Sequence, residues 1–298
     1  MTETLAQRVE SALDRETRAE VTAFAAHLAQ AAGAEAVLFY GSNLRTGSLD
    51  GVLDFYVLLP GEPREAIWPR VGYVEWQHGE TLLRAKVATM DLGRFARAAA
   101  GRSRDTTIWT RFVQPSTLVF ARNDLARARV AAALADAAMV AGELAAALGP
   151  ESGTAEAYWR ALFQATYKAE FRIEKPGRED SILANDPAHF EGLLPAAWRA
   201  ADVPFEANGG QLTPMLAPRR RKRIRRWWNT RRRLGKPLNI LRLAKATTTF
   251  DGAAAYAAWK LHRHTGIALA VTPFREKHPL LAMPGAAWEL WRRKRAQR

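Results

Sequence analysis

Residues with phosphate and metal chemistry fall close together near position 40 of this 298-residue chain. Gly41 and Ser42 follow an apolar run that ends at Tyr40, and Asp54 lies inside the next apolar run. A glycine lets backbone N–H groups approach a bound anion, and a serine hydroxyl adds a donor. A carboxylate held on a strand is a ligand for a cation such as Mg²⁺. The pattern favours a site for a phosphorylated ligand.

The elements that must position these residues follow from the hydrophobic pattern. Helical periodicity precedes residue 33 and dominates residues 124–172, whereas 175–187 is expected to be a loop and 201–218 a linker. Short apolar runs predict five strands, at residues 36–40, 52–59, 73–77, 81–89 and 116–120. The expected fold class is α/β (α+β), a mixed sheet with flanking helices, followed by a mainly helical domain and a basic helical C-terminal region.

The strand, the Gly-Ser turn, the loop and the second strand with its carboxylate together resemble the active-site hairpin of the polymerase-β-type nucleotidyltransferases. The resemblance implies that Asp54 holds Mg²⁺, which neutralises charge on the transferred and leaving phosphates. It also implies a nucleotide-binding set of Tyr40, Gly41, Ser42 and Asn43.

The chain departs from the superfamily pattern at one carboxylate. That pattern has two acids two residues apart, and the partner position of Asp54 is Val52. Asp50 is the nearest substitute, with Glu75 and Asp91 more distant. Asp54 and Asp50 are therefore the predicted catalytic and metal-binding pair.

One family within that superfamily also has an apolar residue at the Val52 position. It is the mitochondrial-type phosphatidate cytidylyltransferases, the translocator assembly and maintenance proteins, and the chain is identified as a bacterial-like member. Tyr40-Gly41-Ser42 and Leu53-Asp54-Phe55 are similar to its hairpin, and Arg84 stands in the place of a lysine. The similar segments, in chain order, are residues 40–42, 53–55, 79–84, 108–115, 167–172, 188–190 and 259–262.

The resemblance implies a reaction in which CTP and phosphatidic acid give CDP-diacylglycerol and pyrophosphate, with Mg²⁺. Arg84 and Arg172 are then the expected phosphate-binding residues, because the planar guanidinium meets phosphate oxygens with two donors. Glu170 is expected either to complete the metal site or to orient Arg172. The attacking phosphate is already an anion, so no strong general base is required.

The positive charge of the chain is concentrated near its C-terminus. The net charge is +14, yet residues 215–298 hold 22 Lys and Arg against 3 acids. Within residues 219–233 apolar side chains interrupt the arginines at near-helical spacing, a pattern typical of an interfacial helix on an anionic membrane surface. The predicted membrane residues are Arg223, Trp227, Trp228 and Arg231.

Composition excludes several classes of protein. Cysteine is absent, which rules out disulfides and thiolate chemistry. The N-terminal residues lack an apolar h-region, so we expect no signal peptide and a cytoplasmic protein peripheral to the inner face of a membrane. The expected domains are residues 1–124 (nucleotidyltransferase), 125–210 (helical) and 211–298 (basic and membrane-associating).

Two other functions stay open at this point. A nucleotidyltransferase acting on RNA would use the basic tail to bind phosphates and its tryptophans to stack bases. A non-catalytic nucleotide-binding protein would explain the missing carboxylate at Val52. The continuation of the resemblance beyond the hairpin favours the lipid enzyme and disfavours nucleic acid as the partner.

Overall fold

The computed structural model describes residues 3–61, 68–169 and 178–265, with residues 270–272, 274, 285 and 288 beyond them. Its helices are α1 (Leu5–Leu13), α2 (Ala19–Ala32), α3 (Ser42–Thr46), α4 (Leu92–Ala99), α5 (Thr107–Phe112), α6 (Asp124–Leu148), α7 (Ala155–Ala169), α8 (Arg178–Asn185), α9 (Pro187–Ala200), α10 (Pro218–Thr249) and α11 (Ala253–Thr265). Its strands are β1 (Ala36–Tyr40), β2 (Leu53–Leu59), β3 (Arg70–His78), β4 (Thr81–Asp91), β5 (Ser116–Ala121), β6 (Phe205–Asn208) and β7 (Gln211–Pro214).

The first five strands form one mixed sheet in the order β3-β4-β2-β1-β5. β2 and β4 run parallel, and the other neighbouring pairs run antiparallel. Helices pack on both faces of this sheet. The predicted fold class, a mixed sheet with flanking helices, is confirmed.

Alternate residues of the central strands face opposite sides of the sheet. Val37, Phe55 and Val57 join a smaller core with α2, whereas Leu38 and Tyr56 join the larger core beneath the remaining helices. Asp54 shares the parity of Tyr56. Its carboxyl therefore lies on the same face as the larger core.

Helix α6 is central to the larger core. It packs on α1, α4, α5, α7, α9 and α10, and Asn123 caps its first turn by accepting a hydrogen bond from the Ala126 N–H. By length and composition α6 could cross a bilayer, but 61% of its most apolar window is buried within the fold. Burial against other helices accounts for its apolar composition.

Two segments differ from the sequence expectation. Residues 201–218, expected to be a linker, contain the β6–β7 hairpin, because Gly209 and Gly210 both have positive φ and form a two-residue turn. The loop expected at 175–187 contains α8, which buries Ile182 and Leu183 in the larger core. Asp186 then caps α9 by accepting from the His189 N–H.

The larger core draws on all three predicted domains, from Leu5 in α1 through Leu162 in α7 to Trp228 in α10. The segments are thus packed together through one continuous set of apolar side chains. The predicted domain boundaries stay a prediction.

Candidate active site

A row of polar side chains crosses the sheet at the end of β1. In the strand register Tyr73 lies opposite Lys86, Lys86 beside Asp54, Asp54 opposite Tyr40, and Tyr40 opposite Ser116. The rows behind it are apolar and belong to the larger core. The polar row therefore marks the point where the core ends and a functional surface begins.

Gly41 is the residue that lets the Asp54 carboxylate sit against the chain. Its φ is 92°, a conformation that favours glycine, and a Cβ at this position would lie 2.6 Å from Asp54 Oδ2. The missing side chain thus accommodates the carboxylate. The close approach of a phosphate that the sequence predicts at Gly41 stays a prediction.

The loop after Gly41 is held by a buried amide. Asn43 Nδ2 donates to the carbonyl oxygens of Ser48 and Asp50, each at 2.9 Å. Asn43 was predicted to bind nucleotide, but both of these bonds fix the loop, so its observed role is to position the chain. Ser42 is exposed, with its hydroxyl 3.4 Å from Asn43 Oδ1, and is open to a ligand.

Arg84 is engaged away from the carboxylate. Its Nε lies 3.2 Å from Glu75 Oε1, which also accepts from the Tyr73 hydroxyl at 2.7 Å. The cation beside Asp54 is instead Lys86, two residues further along the same face of β4. The structure thus places Lys86 where Arg84 was expected to act.

Arg111 is a second cation that sequence reasoning missed. It reaches from α5 to Tyr40, where its Nη1 donates to the phenolic oxygen at 2.7 Å and its guanidinium carbon lies 5.1 Å from the ring centroid. Tyr40 thereby serves as a buried support for Arg111. Its predicted contact with nucleotide stays a prediction.

A cavity of about 270 Å³ opens beside this row. Four of its lining residues are cationic and come from three elements: Lys86 on β4, Arg111 on α5, and Arg242 and Lys245 on α10. Aromatic side chains form much of the remaining wall, namely Tyr40, Tyr56, Trp68, Phe250 and Tyr256. Cations together with flat apolar rings are a suitable lining for an anion that carries a base or an apolar tail.

Burial controls the ionisation of the central pair. It raises the pKa of the Asp54 carboxyl above the ordinary value of 3.8, against the opposing effects of Lys86, Arg111 and Arg45. Burial also lowers the pKa of the Lys86 ammonium against the opposing effect of Asp54, and neighbouring cations lower it further. An incoming phosphate would offset this concentration of positive charge.

Helix α11 brings further cations to the same side. Tyr256 packs on Tyr73 with ring centroids 5.5 Å apart, and this contact docks the helix on β3. Lys260 lies close enough to lower the pKa of Lys86. Arg263 Nη1 would lie 3.0 Å from a Cβ placed on Gly51, so it covers the loop that precedes β2.

The residues fit a Mg²⁺ ion that takes most of its ligands from a nucleotide. Among the described residues no group of three or more Asp, Glu, His or Cys side chains could hold a metal. Mg²⁺ nevertheless binds commonly through one or two carboxylates plus substrate phosphates, and Asp54 would supply one such carboxylate. Asp50 is exposed on the adjacent loop. Glu170 and Arg172 lie outside the described residues.

The basic helix α10 turns its tryptophans toward the protein. Trp228 is 2% exposed and joins the larger core, and the ring of Trp109 lies 6.1 Å from Trp227 and 6.4 Å from Trp228. The apolar stripe of α10 therefore meets protein, which contradicts the predicted membrane contact of Trp228, whereas that of the half-buried Trp227 stays a prediction. Arg223 is exposed, and its membrane role stays a prediction.

Several arginines within residues 219–233, the basic run, cap the C-terminal ends of other helices. Arg221 and Arg225 donate to carbonyls at the end of α6, and Arg220 donates to carbonyls just after α9. Arg231 donates to carbonyls after α4, at 2.8 Å to Gly101, and its guanidinium stacks 3.9 Å from the Trp227 ring. Cations at helix C-termini are stabilising, so Arg231 has a structural role, and its predicted membrane contact stays a prediction.

A larger cavity, about 410 Å³, lies on the other side of α5 between α1 and α9. His189 borders it with Nε2 2.9 Å from the Val113 carbonyl, so the ring donates to the backbone. Lys86 and Arg111 do not line this cavity, whereas both line the smaller one beside Asp54. We therefore place the candidate active site at the smaller cavity.

The cationic residues of the cavity that the sequence did not predict differ in how strongly local sequence patterns indicate them. Lys86 was accessible from the two-residue period of β4, which puts it on the face of Arg84. Arg111 lies within a segment already singled out at residues 108–115. Arg242 and Lys245 gave no signal, because only the packing of α10 brings them to the sheet.

No protein-family model matches the chain, and no curated protein matches it by sequence. The candidate site rests on the geometry of the polar row and its cavity.

Proposed function

We propose that the protein is a phosphatidate cytidylyltransferase, which transfers CMP from CTP to phosphatidic acid at a membrane surface. The observation that carries the proposal is the cavity beside Asp54, with four cations and five aromatic side chains in its lining. A triphosphate and a lipid phosphate must lie together in such a site. Both are anions, and the described lining contains no Asp or Glu to repel them.

The chemical step needs positioning more than proton transfer. A phosphate oxygen of phosphatidic acid attacks the α-phosphorus of CTP, the bond to the β-phosphate oxygen breaks, and pyrophosphate leaves with the electron pair. Lys86 and Arg111 hold phosphate oxygens beside Asp54. A bound Mg²⁺, held by Asp54 and the phosphates, would supply charge neutralisation.

The walls of the cavity suit the two ends of the reaction. Tyr256 and Phe250 pack edge to face with ring centroids 5.8 Å apart and offer flat surface for a pyrimidine. Arg242 and Lys245 line the cavity from α10, on either side of the exposed Leu243, and are the proposed site of the acceptor phosphate. Ser42, exposed beside Gly41, donates its hydroxyl to the triphosphate.

A nucleotide-binding protein without transfer activity is the second candidate. Its support is that Lys86, a cation, is the strand neighbour of Asp54. The two candidates differ in turnover. An RNA-directed nucleotidyltransferase would show turnover with RNA in place of lipid.

The test measures pyrophosphate released from CTP and Mg²⁺ with phosphatidic acid vesicles, with phosphatidylcholine vesicles, or with RNA. We expect release only with phosphatidic acid, and its loss in Asp54→Asn. Asp180→Asn, an exposed carboxylate paired with Arg160 on α7, is the matched control and retains activity. Turnover with RNA alone, or CTP binding without turnover, would reject the lipid enzyme.

A further inference from the structure

The C-terminal half of α10 exposes a row of aliphatic side chains. Ile240 and Leu241 are each 58% exposed and Leu243 is 49% exposed. Ile240 and Leu241 follow Lys236 and Pro237 by one helical turn, so all four share the outer face of the helix. We call Ile240, Leu241 and Leu243 the distal α10 surface.

The inner side of the same turns belongs to the candidate active site. Arg242 and Lys245 line the cavity, and Asn239 is buried against the protein. Leu243 is both exposed and part of the cavity lining. The distal α10 surface is therefore continuous with the cavity mouth.

Cations flank this surface on the preceding turns. Arg232, Arg233 and Lys236 are exposed. None of the three is among the residues described above that cap the ends of neighbouring helices. An aliphatic face beside Lys and Arg matches hydrocarbon below anionic headgroups. This is the charge pattern of a surface that rests on an anionic bilayer.

We propose that the distal α10 surface docks on an anionic phospholipid bilayer and seats the cavity mouth at headgroup level. The function of this docking rests on the proposed cytidylyltransferase activity, because it delivers a membrane-embedded phosphate to Arg242 and Lys245. The apolar contact is thus made by Ile240, Leu241 and Leu243, about three to four helical turns beyond Trp228.

Other occupants fit the surface less well. A second copy would bring its own Arg233 and Lys236 against these cations, and three side chains are far short of the roughly 800 Å² per partner that a stable dimer buries. Single-stranded nucleic acid is bound by aromatic stacking as well as charge, and the exposed side chains here are aliphatic.

The experiment compares flotation of the full chain with vesicles of phosphatidylcholine containing phosphatidylglycerol, for wild type, Ile240→Gln/Leu241→Gln and Leu125→Gln. Leu125 is 68% exposed on α6 and is the matched control. Glutamine keeps the helix propensity close to that of leucine. We expect the double variant to lose at least about tenfold in vesicle affinity, since each aliphatic side chain loses its burial. Leu125→Gln should bind as wild type does.

Failure of the docking surface and failure of the proposed function give different results. If the enzyme is active, Ile240→Gln/Leu241→Gln keeps turnover on dispersed short-chain phosphatidic acid and loses it on vesicles. If no turnover occurs, flotation still decides the docking proposal. Equal vesicle binding by wild type and the double variant would overturn it. So would a wild-type dimer that the double variant converts to monomers, or an equal loss of binding to single-stranded RNA.

Discussion

At the scale of single residues, the site is organised around a carboxylate, Asp54, whose desolvation is not fully offset by the neighbouring cations. Burial raises the pKa of Asp54 despite the cations around it. A raised pKa means that the ionised form is less stable in the folded protein than in the unfolded chain. Active sites commonly retain such groups because function requires them.

We expect Asp54→Asn to stabilise the fold while it abolishes transfer. The pKa of Asp54 in the folded protein lies above the unfolded value of 3.8, so the wild type loses stability as pH rises from 3.8 to the folded pKa. Asparagine does not ionise, so the variant does not lose this stability. The gain at neutral pH should be about 0.5 to 2 kcal/mol. Urea unfolding from pH 4 to pH 8 measures it, and a variant less stable than wild type at pH 8 would contradict it.

Replacement of Gly41 by alanine tests the close approach to Asp54. The substitution adds a Cβ 2.6 Å from Oδ2 at a φ of 92°, and should cost about 2 to 4 kcal/mol of unfolding free energy. Gly33→Ala is the control, because Gly33 also has positive φ but no atom lies within 4 Å of the added carbon. The two variants are compared by denaturant unfolding, and equal losses would show that the carboxylate contact is unimportant.

At the scale of elements, α10 shows both the reach and the limit of sequence patterns. The apolar spacing of Ile224, Trp227 and Trp228 correctly predicted a helix with an apolar stripe. A stripe needs an apolar partner, but the pattern does not say whether that partner is lipid or protein. Here the partner is the larger core, and the arginines beside the stripe serve neighbouring helix ends.

The same distinction explains which parts of the site were foreseen. β1 and β2 follow from local apolar runs, so the sequence correctly predicts that Gly41 follows one strand and that Asp54 lies in the next. Arg242 and Lys245 reach the site only because a helix from the far end of the chain packs on the sheet. Local patterns carry no information on such a contact.

Arg231 should contribute stability through its carbonyl and ring contacts. Arg231→Gln leaves the carbonyl groups of Gly101 and Ser103 without their donor and should lower the unfolding free energy by about 1 to 3 kcal/mol. Arg232→Gln changes the neighbouring exposed arginine and should stay within about 0.5 kcal/mol of wild type. Urea unfolding of the two variants at equal salt decides whether the basic run is partly structural.

At the scale of the whole molecule, the positive charge of the chain is concentrated near its C-terminus and serves three purposes. The residues before 215 hold more acids than bases, whereas α10 and the residues after it carry the excess of cations. Some of these cations cap the C-terminal ends of α4, α6 and α9, others line the cavity, and others face outward. The same helix therefore joins the core, the site and the proposed membrane surface.

Acid should loosen the packing of the helices against the sheet through His189. This residue on α9 holds the carbonyl of Val113, just before β5, and burial lowers its pKa below 6.5 against the weaker opposing effects of that hydrogen bond and Asp186. Arg8 and Arg15 on the facing side lower the pKa further. The folded protein therefore keeps the ring neutral at a pH where the unfolded chain is protonated.

The sign of the pH effect follows from that difference. Above pH 6.5 both states are neutral, so His189 contributes no pH dependence; as pH falls below 6.5 the unfolded chain gains a proton first and stability declines. The decline should approach about 1.4 kcal/mol per pH unit until the folded ring protonates. In His189→Gln, whose amide can still donate to Val113, the slope between pH 6.5 and pH 5 should flatten, while His78→Gln at an exposed position keeps it. An unchanged slope in His189→Gln, measured by urea unfolding, would place the acid sensitivity elsewhere and leave the α9 contact independent of pH.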